Sequence, residues 1–441
     1  MSTDLTRIGE RARKQPDLIF TSLYHHVADL GNLRACYDAL DGDKAVGVDG
    51  VTKEQYGDDL EENLRDLADR LKRMGYRPRP RRRSYIPKPG SEKGRPLGIS
   101  CFEDKVVELA VKRVLEPIYE EIFEDSSYGY RPGRSQHSCL DKLGRTIQQK
   151  RVNHVVESDI RGFFDEVSHK WMLKFLAHRI GDRRIPRLIS RMLKAGIMED
   201  GLVQASEKGT PQGSILSPLL SNIYLHYVLD LWFSRRVKRQ CRGKAYYFRF
   251  ADDFLACFER KGDAENFTKW LTDRVEGFNL KVAEEKTRCI EFGRFARRDA
   301  RKRGQKPEEF TFLGFTHYCG KTRNKKFRVK RRTSRKKFAH SLREFTEWAR
   351  KSRSVLRKRE MLQGAKMRLS GHLNYYAITD NTRMCSSYRH YLTGILFKWI
   401  NRKSQRRSYT WKSFMQTLKR IGWPRTNIRV DLNPHRRLEA I

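Results

Sequence analysis

The sequence predicts an α+β fold, on three observations. Two short apolar runs, Tyr246-Tyr247-Phe248-Arg249 and Phe254-Leu255-Ala256-Cys257-Phe258, flank Phe250-Ala251-Asp252-Asp253 and read as a β-hairpin with two carboxylates at its turn. Val155-Val156 begin a strand that ends near Asp159. Elsewhere apolar residues recur at helical spacing: Val106, Val107, Ala110, Val111, Val114 and Leu115 in one segment, Phe267, Leu271, Val275 and Phe278 in another.

From the N-terminus, Leu23, Val27 and Leu30 and then Leu33, Tyr37 and Leu40 suggest helices, with His25-His26 on one of them. A helix runs to Met74, and an Arg-rich, Pro- and Gly-punctuated hairpin follows, from which a helix leads from Glu103 to Phe123. Asp165 is read as the cap of a helix that begins near Ser168. A helix is expected from Pro218 to Phe233 and a basic mobile loop from Arg294 to Gln305. Phe310 to Phe315 reads as a single buried strand. Beyond Lys321 basic clusters crowd helical patterns in which Trp348, Tyr375, Tyr376, Tyr391, Phe397 and Trp399 are interleaved.

Adjacent ionised carboxylates repel, and a partly buried pair is costly unless a cation lies between them. Asp-Asp alone is a common solvated turn dipeptide. Asp159 changes the balance, because two-metal phosphoryl transfer needs carboxylates from separate strands around a pair of ions. Mg²⁺ suits such a site, since it takes one or two protein carboxylates together with substrate phosphates.

The order Asp159-Ile160-Arg161-Gly162-Phe163-Phe164, Thr210-Pro211-Gln212-Gly213-Ser214, Phe250-Ala251-Asp252-Asp253 resembles the palm of a reverse transcriptase. Further blocks narrow it: Ile86-Pro87-Lys88-Pro89-Gly90 with Arg95-Pro96-Leu97-Gly98-Ile99, Ser127-Tyr128-Gly129-Tyr130-Arg131-Pro132, Glu285-Lys286-Thr287 before Phe312-Leu313-Gly314-Phe315, and Leu369-Ser370-Gly371-His372-Leu373-Asn374-Tyr375-Tyr376. Over residues 20 to 400 the chain is similar to the reverse transcriptases and maturases encoded by bacterial group II introns, of the type without a zinc-based endonuclease domain.

The resemblance implies a right-hand polymerase fold: an N-terminal extension over 1–60, fingers over 61–145, an antiparallel-sheet palm over 146–318, a helical thumb or maturase domain over 319–400, and a basic tail over 401–441 that could bind DNA. It implies that Asp159, Asp252, Asp253 and the backbone carbonyl of Ile160 hold two Mg²⁺ ions. Phe164 takes the place of a steric gate against the ribose 2′-OH, although both Phe163 and Phe164 also read as core residues. Gln212 and Gly213 lie near the incoming sugar or template base. Lys88 and Arg95 grip the triphosphate, and Lys286 protonates the pyrophosphate. Lys330, Arg331, Arg332, Arg335 and Lys336 form a cationic face for nucleic acid. Partners are an RNA template, a DNA primer, deoxynucleoside triphosphates and a group II intron RNA. Phe250 departs from the usual Tyr, and Ser214 from a common second Gly.

Composition agrees. The 93 Lys and Arg against 53 Asp and Glu give a net charge of +40, which calls for a polyanionic partner. No apolar run is long enough to span a bilayer, so nucleic acid is favoured over membrane and a cytoplasmic, nucleoid- or ribonucleoprotein-associated location is expected. The eight cysteines and twelve histidines show no zinc spacing, and the cysteines read as small core residues in a reducing interior. The activity expected is RNA-directed DNA synthesis with assistance to splicing. Two alternatives stand beside it: a free-standing enzyme in phage defence or repair, and a non-catalytic RNA-binding splicing factor. The second conflicts with three mutually repelling carboxylates.

Overall fold

A computed structural model describes residues 5–86, 94–322, 324–403 and 408–433. The chain divides into two compact units, Met1–Ser135 with Val156–Ala256 and Gly262–Arg288, and Gln136–Val155 with Cys257–Lys261 and Cys289–Ile441.

In the first unit, β1 (Arg81–Ile86) and β2 (Arg95–Ile99) form the expected hairpin, with Ser84 opposite Leu97. The short strands β4 (Ile197–Glu199) and β5 (Leu202–Gln204) extend it to a mixed sheet of order β2-β1-β4-β5, and β1 runs parallel to β4. Helix Phe102–Glu120 lies in the core, with Val106, Val107, Ala110, Val111, Val114 and Leu115 all buried. A second sheet, whose strands are not confined to the first unit's residues, contains β3 (His154–Ser158), β6 (Ala245–Phe250), β7 (Asp253–Phe258) and β8 (Arg288–Glu291) in the order β6-β7-β3-β8. The turn Ala251-Asp252 joins β6 to β7, and Ala251 takes a left-handed φ of 57°.

Helix Ser217–Leu225 starts where expected, with Pro218 in its first turn, where a missing N–H costs nothing. It then widens into two π-helical segments, His226–Asp230 and Phe233–Val237, which no periodicity announced. The first of these carries Asp230 to a buried partner. Arg249, the one charged residue in strand β6, is fully buried. Its Nε and Nη2 donate to the two carboxylate oxygens of Asp230 at 2.8 and 2.5 Å. Its Nη1 donates to Asn222 Oδ1 and to the carbonyl of Ala251, both at 2.9 Å. Asn222 Nδ2 in turn donates to the carbonyl of Gly129 at 2.7 Å. A Cβ at Gly129 would lie 2.3 Å from the Ala251 nitrogen, so only glycine lets these two chain segments meet.

In the second unit, β9 (Phe310–Phe312), β10 (Phe315–Lys321) and β11 (Phe327–Thr333) form a sheet of order β11-β10-β9. The single strand expected over Phe310 to Phe315 is therefore a hairpin. Leu313 and Gly314 both take left-handed φ, 48° and 78°, and turn the chain in two residues. A boundary at 318 falls inside β10. The segment Arg294 to Gln305 is not a loop but holds helix Ala296–Lys302. The helices Arg335–Val355, Lys358–Tyr376, Thr382–Asn401 and Trp411–Arg420 share one core that includes Phe345, Leu369, Leu396, Phe414, Leu418 and Trp423. Within the expected basic tail, Phe414, Leu418 and Trp423 thus pack into that shared core. Trp423 is anchored by donation from Nε1 to Thr393 Oγ1 at 3.2 Å.

One residue of the expected cationic face is misplaced. Arg331 is buried in β11, donates to the Leu140 carbonyl at 2.5 Å, and its pKa is pulled down to about 10 by burial. Strand alternation explains this: Lys330 and Arg332 point to the other face, where Arg332 pairs with Glu309 at 2.6 Å and lies over the Tyr318 ring. Arg335 and Lys336 are exposed at the start of the long helix. Among the described residues, six of the eight cysteines are buried, with Cys241 half-buried and Cys289 exposed. No helix among them is long and apolar enough to cross a membrane.

Removing one partner of a buried pair leaves an uncompensated charge, at a cost of about 3–5 kcal/mol. Arg249→Met is therefore expected to lower unfolding stability by that order in a denaturant titration. The double variant Arg249→Met/Asp230→Leu should recover much of the loss. Equal stability of Arg249→Met and the parent would contradict the buried-pair assignment.

Candidate active site

Three aspartates come to one end of the β6-β7-β3 strands. Asp252 closes the β6–β7 turn, Asp253 begins β7, and Asp159 follows the last residue of β3, the strand next to β7. Asp253 is exposed, and Asp159 and Asp252 are half-buried. The segment after Asp159 pairs with residues 281–283: Arg161 donates its N–H to the Lys281 carbonyl at 2.8 Å, and Ala283 donates its N–H to the Asp159 carbonyl at 2.8 Å. Ile160 sits between these bonds opposite Val282, so its own carbonyl lies outside the pairing.

The charges act on one another. The Asp252 carboxyl is raised above the ordinary value by burial and by the Asp159 charge, and is opposed by Arg95 and Lys286. Lys286, at the end of the short 3-10 turn Glu284–Lys286, donates to Asp159 Oδ2, and its pKa is raised by that bond. The Tyr130 hydroxyl is raised by burial and by Asp252, with Arg95 opposing and Asp253 adding. Asp159, Asp252, Asp253, Lys286, Arg95 and Tyr130 therefore share one electrostatic environment.

The donor set fits a hard divalent cation, since it is three carboxylates beside a peptide carbonyl. Among the described residues no three acidic, His or Cys side chains are already gathered as a closed ligand set. One of the Asp159 oxygens already accepts from the Lys286 ammonium.

Phe163 is buried in the core and Phe164 is half-buried, so the two rings divide between core and surface. Phe164 lines a cavity of about 1000 Å³ together with Gly98, Pro211 and Gln212. The Thr210 N–H donates to the Phe164 carbonyl at 2.7 Å, and the Gly98 N–H donates to the Gln212 carbonyl at 2.8 Å. Gly213 has φ 108°, and a Cβ there would approach the Gly98 carbonyl to 3.1 Å, so a side chain at this position is strained. Arg95 is exposed at the start of β2. Lys88 lies outside the described residues. Asp165 caps nothing. It lies inside the short helix Phe163–Glu166, and Ser168 caps the next helix by accepting from the Trp171 N–H. Lys330, Arg332, Arg335 and Lys336 belong to the second unit.

Several positioning residues escaped sequence reasoning. The buried Glu108 accepts from Ser100 Oγ, from Arg81 Nη2 and from the Ile215 N–H at 2.9, 3.3 and 2.9 Å, and so ties the 210–215 loop to β1 and to the core helix. Arg249, Asp230 and Asn222 fix the turn at Ala251. A signal existed for Arg249: an arginine inside an aromatic strand needs a buried partner.

The family model described as reverse transcriptase (RNA-dependent DNA polymerase) matches residues 86–317, just over half of the chain. The chain is 39% identical over 231 residues to group II intron-encoded protein LtrA of Lactococcus lactis subsp. cremoris, covering 52% of this chain and 38% of that protein. It is 34% identical over 277 residues to protein YkfC of Escherichia coli, covering 56% and 72%. It is 26% identical over 179 residues to nuclear intron maturase 2, mitochondrial, of Arabidopsis thaliana, covering 31% and 24%. The match thus spans well under half of the Lactococcus protein. On the extent of the family match, this chain belongs to the reverse transcriptase (RNA-dependent DNA polymerase) family.

Proposed function

We propose that this chain extends a DNA primer along an RNA template with deoxynucleoside triphosphates, and that it binds a group II intron RNA and assists its splicing. The observation that carries the reading is the set of three carboxylates at one strand end, with Asp159 acting on Asp252, Asp159 and Asp253 acting on Lys286, and the cations of Lys286 and Arg95 acting on Asp252. Membership of the family supports the polymerase role, and the names of the intron-encoded and maturase relatives support the intron role. The net charge of +40 suits work on polyanions in a cytoplasmic ribonucleoprotein.

In this reading Asp159, Asp252, Asp253 and the Ile160 carbonyl hold two Mg²⁺ ions. When bound, such ions activate the attacking oxygen and steady the leaving one. Arg95 and Lys88 hold triphosphate oxygens, Arg by its planar fork and Lys as a point charge. The Phe164 ring occupies the space of a 2′-OH and so selects deoxynucleotides. Gln212 and Gly213 bring backbone and amide close to the sugar or the template base. Lys286 stays protonated beside Asp159 and can pass a proton to the pyrophosphate.

Asp252→Asn is expected to abolish primer extension on an RNA template with Mg²⁺ while RNA affinity stays within about twofold of the parent, because phosphate contacts elsewhere dominate binding. Near-normal synthesis would remove Asp252 from the metal site. Phe164→Ala should raise ribonucleotide incorporation relative to deoxynucleotide by at least about tenfold, which corresponds to about 1.4 kcal/mol of lost discrimination. An unchanged ratio would make Phe164 a packing residue only.

The basic residues of the second unit separate by burial. Neutralising Lys330, Arg332, Arg335 and Lys336 should flatten the salt dependence of RNA binding, by roughly 0.7–0.9 in log–log slope for each phosphate that is no longer neutralised. Arg331→Gln should instead lower the melting temperature and leave the slope of the folded protein unchanged. A slope that responds to Arg331 and not to its neighbours would reverse this assignment.

A further inference from the structure

We infer that the outer face of helix Arg184–Lys194 is a second RNA-binding surface, separate from the cavity beside Phe164, that grips a phosphodiester backbone through Arg77, Arg187, Arg191 and Lys194. Three observations carry it. First, these four cations line a groove of about 700 Å³ whose lining contains no carboxylate. None of its lining residues lines the cavity that holds Phe164 and Gln212. Second, the helix is divided cleanly. Ile185, Leu188, Ile189, Met192 and Leu193 are buried, so Arg187, Arg191 and Lys194, at i, i+4 and i+7, form a stripe on the other side. Third, the cations crowd one another, and Arg77 and Arg191 donate to backbone carbonyls. Arg77 Nη1 donates to the carbonyls of Met74 and Tyr76, both at 3.3 Å. The half-buried Arg191 guanidinium donates to the carbonyls of Met74 and Tyr76 at 2.8 and 3.1 Å, and its pKa is lowered by burial and by the charges of Arg77 and Arg187. Surface cations in this chain commonly find a carboxylate, as Arg184 does with Asp182 at 3.0 Å. Within the groove no described carboxylate plays that part for Arg77, Arg187, Arg191 or Lys194, so a polyanion supplies the missing charge.

The shape suggests which one. From Arg187 to Lys194 the stripe rises roughly 10 Å, about three phosphates at the axial spacing of one nucleic-acid strand. Arginine forks match phosphate oxygens in pairs. The floor is made by Leu173, Pro78, Pro186 and Ala195, and Ser190 adds a hydroxyl that can meet a 2′-OH. Helical RNA hides its bases in a narrow major groove and is read through backbone and 2′-OH, which is what a flat cationic stripe can do. The choice of RNA rests on the reading of the chain as an enzyme that copies and binds RNA. The surface itself does not require catalysis.

The test uses the full-length Arg187→Gln/Lys194→Gln variant, which leaves the hydrogen bonds of Arg191 in place. Binding of a fluorescent RNA hairpin is measured across a salt series. Affinity at low salt should fall at least about tenfold, and the log–log slope should flatten by about one to two, while primer extension at saturating primer–template is unchanged. Unaltered affinity and slope would overturn the inference. So would loss of extension at saturation, which would place the stripe in the support of the active site. If the variant instead loses binding to phosphatidylserine vesicles while keeping its RNA affinity, the face is a membrane contact and the inference fails. Asp252→Asn run in the same assay separates this inference from the polymerase reading, because RNA binding by the stripe should survive whether or not Asp252 serves catalysis.

Discussion

The arrangement at the candidate site depends on one buried guanidinium. Burying Arg249 is tolerable only because its donors are matched: two go to Asp230, and a third is shared by Asn222 and the Ala251 carbonyl. The last bond matters most. It holds the peptide between Ala251 and Asp252 in a left-handed turn that an alanine would otherwise avoid. The carboxylates that follow are therefore presented from a fixed backbone, close-packed against Gly129 and secured in the core. The π-helical stretch His226–Asp230 belongs to the same device, because its wide turn is where the helix delivers Asp230 to Arg249.

Much of this was legible in the sequence, for physical reasons that differ from element to element. The core helix after the Arg-rich hairpin was readable because burial on nearly all sides leaves a dense apolar pattern at helical spacing. The β6–β7 hairpin was readable from its two aromatic-rich apolar runs and the carboxylate turn between them. What failed depended on neighbours distant in sequence. A charged residue looks alike whether solvated or buried, and only the pairing of β11 with β10 puts Arg331 inward. The break at Leu313-Gly314 was hidden because its first residue is an ordinary apolar one held in a left-handed conformation. The π segments have no sequence signature at this length, and the contribution of Glu108 lies in three partners spread from residue 81 to residue 215.

The acidic groups of the site interact with one another and with a cation of the protein itself. Asp159 is engaged by Lys286, and the Asp252 carboxyl is raised above its ordinary value by burial and by the Asp159 charge. In the proposed function Asp159 and Asp252 would hold a divalent cation whose charge offsets their repulsion, and Lys286 would be the ammonium at hand for a phosphate oxygen. In that proposal the lysine that is counter-ion to Asp159 is also the proton donor to the pyrophosphate. The departure at Phe250 removes a hydroxyl beside this site without touching any of the carboxylates.

The most direct test of the account is Mn²⁺ binding to the free protein, followed by electron paramagnetic resonance, in the parent, in Asp252→Asn and in Lys286→Ala. The account predicts that Asp252→Asn weakens Mn²⁺ binding by at least about tenfold, or 1.4 kcal/mol, and that Lys286→Ala strengthens it by removing the competitor for Asp159. Equal Mn²⁺ affinity in all three proteins would contradict it.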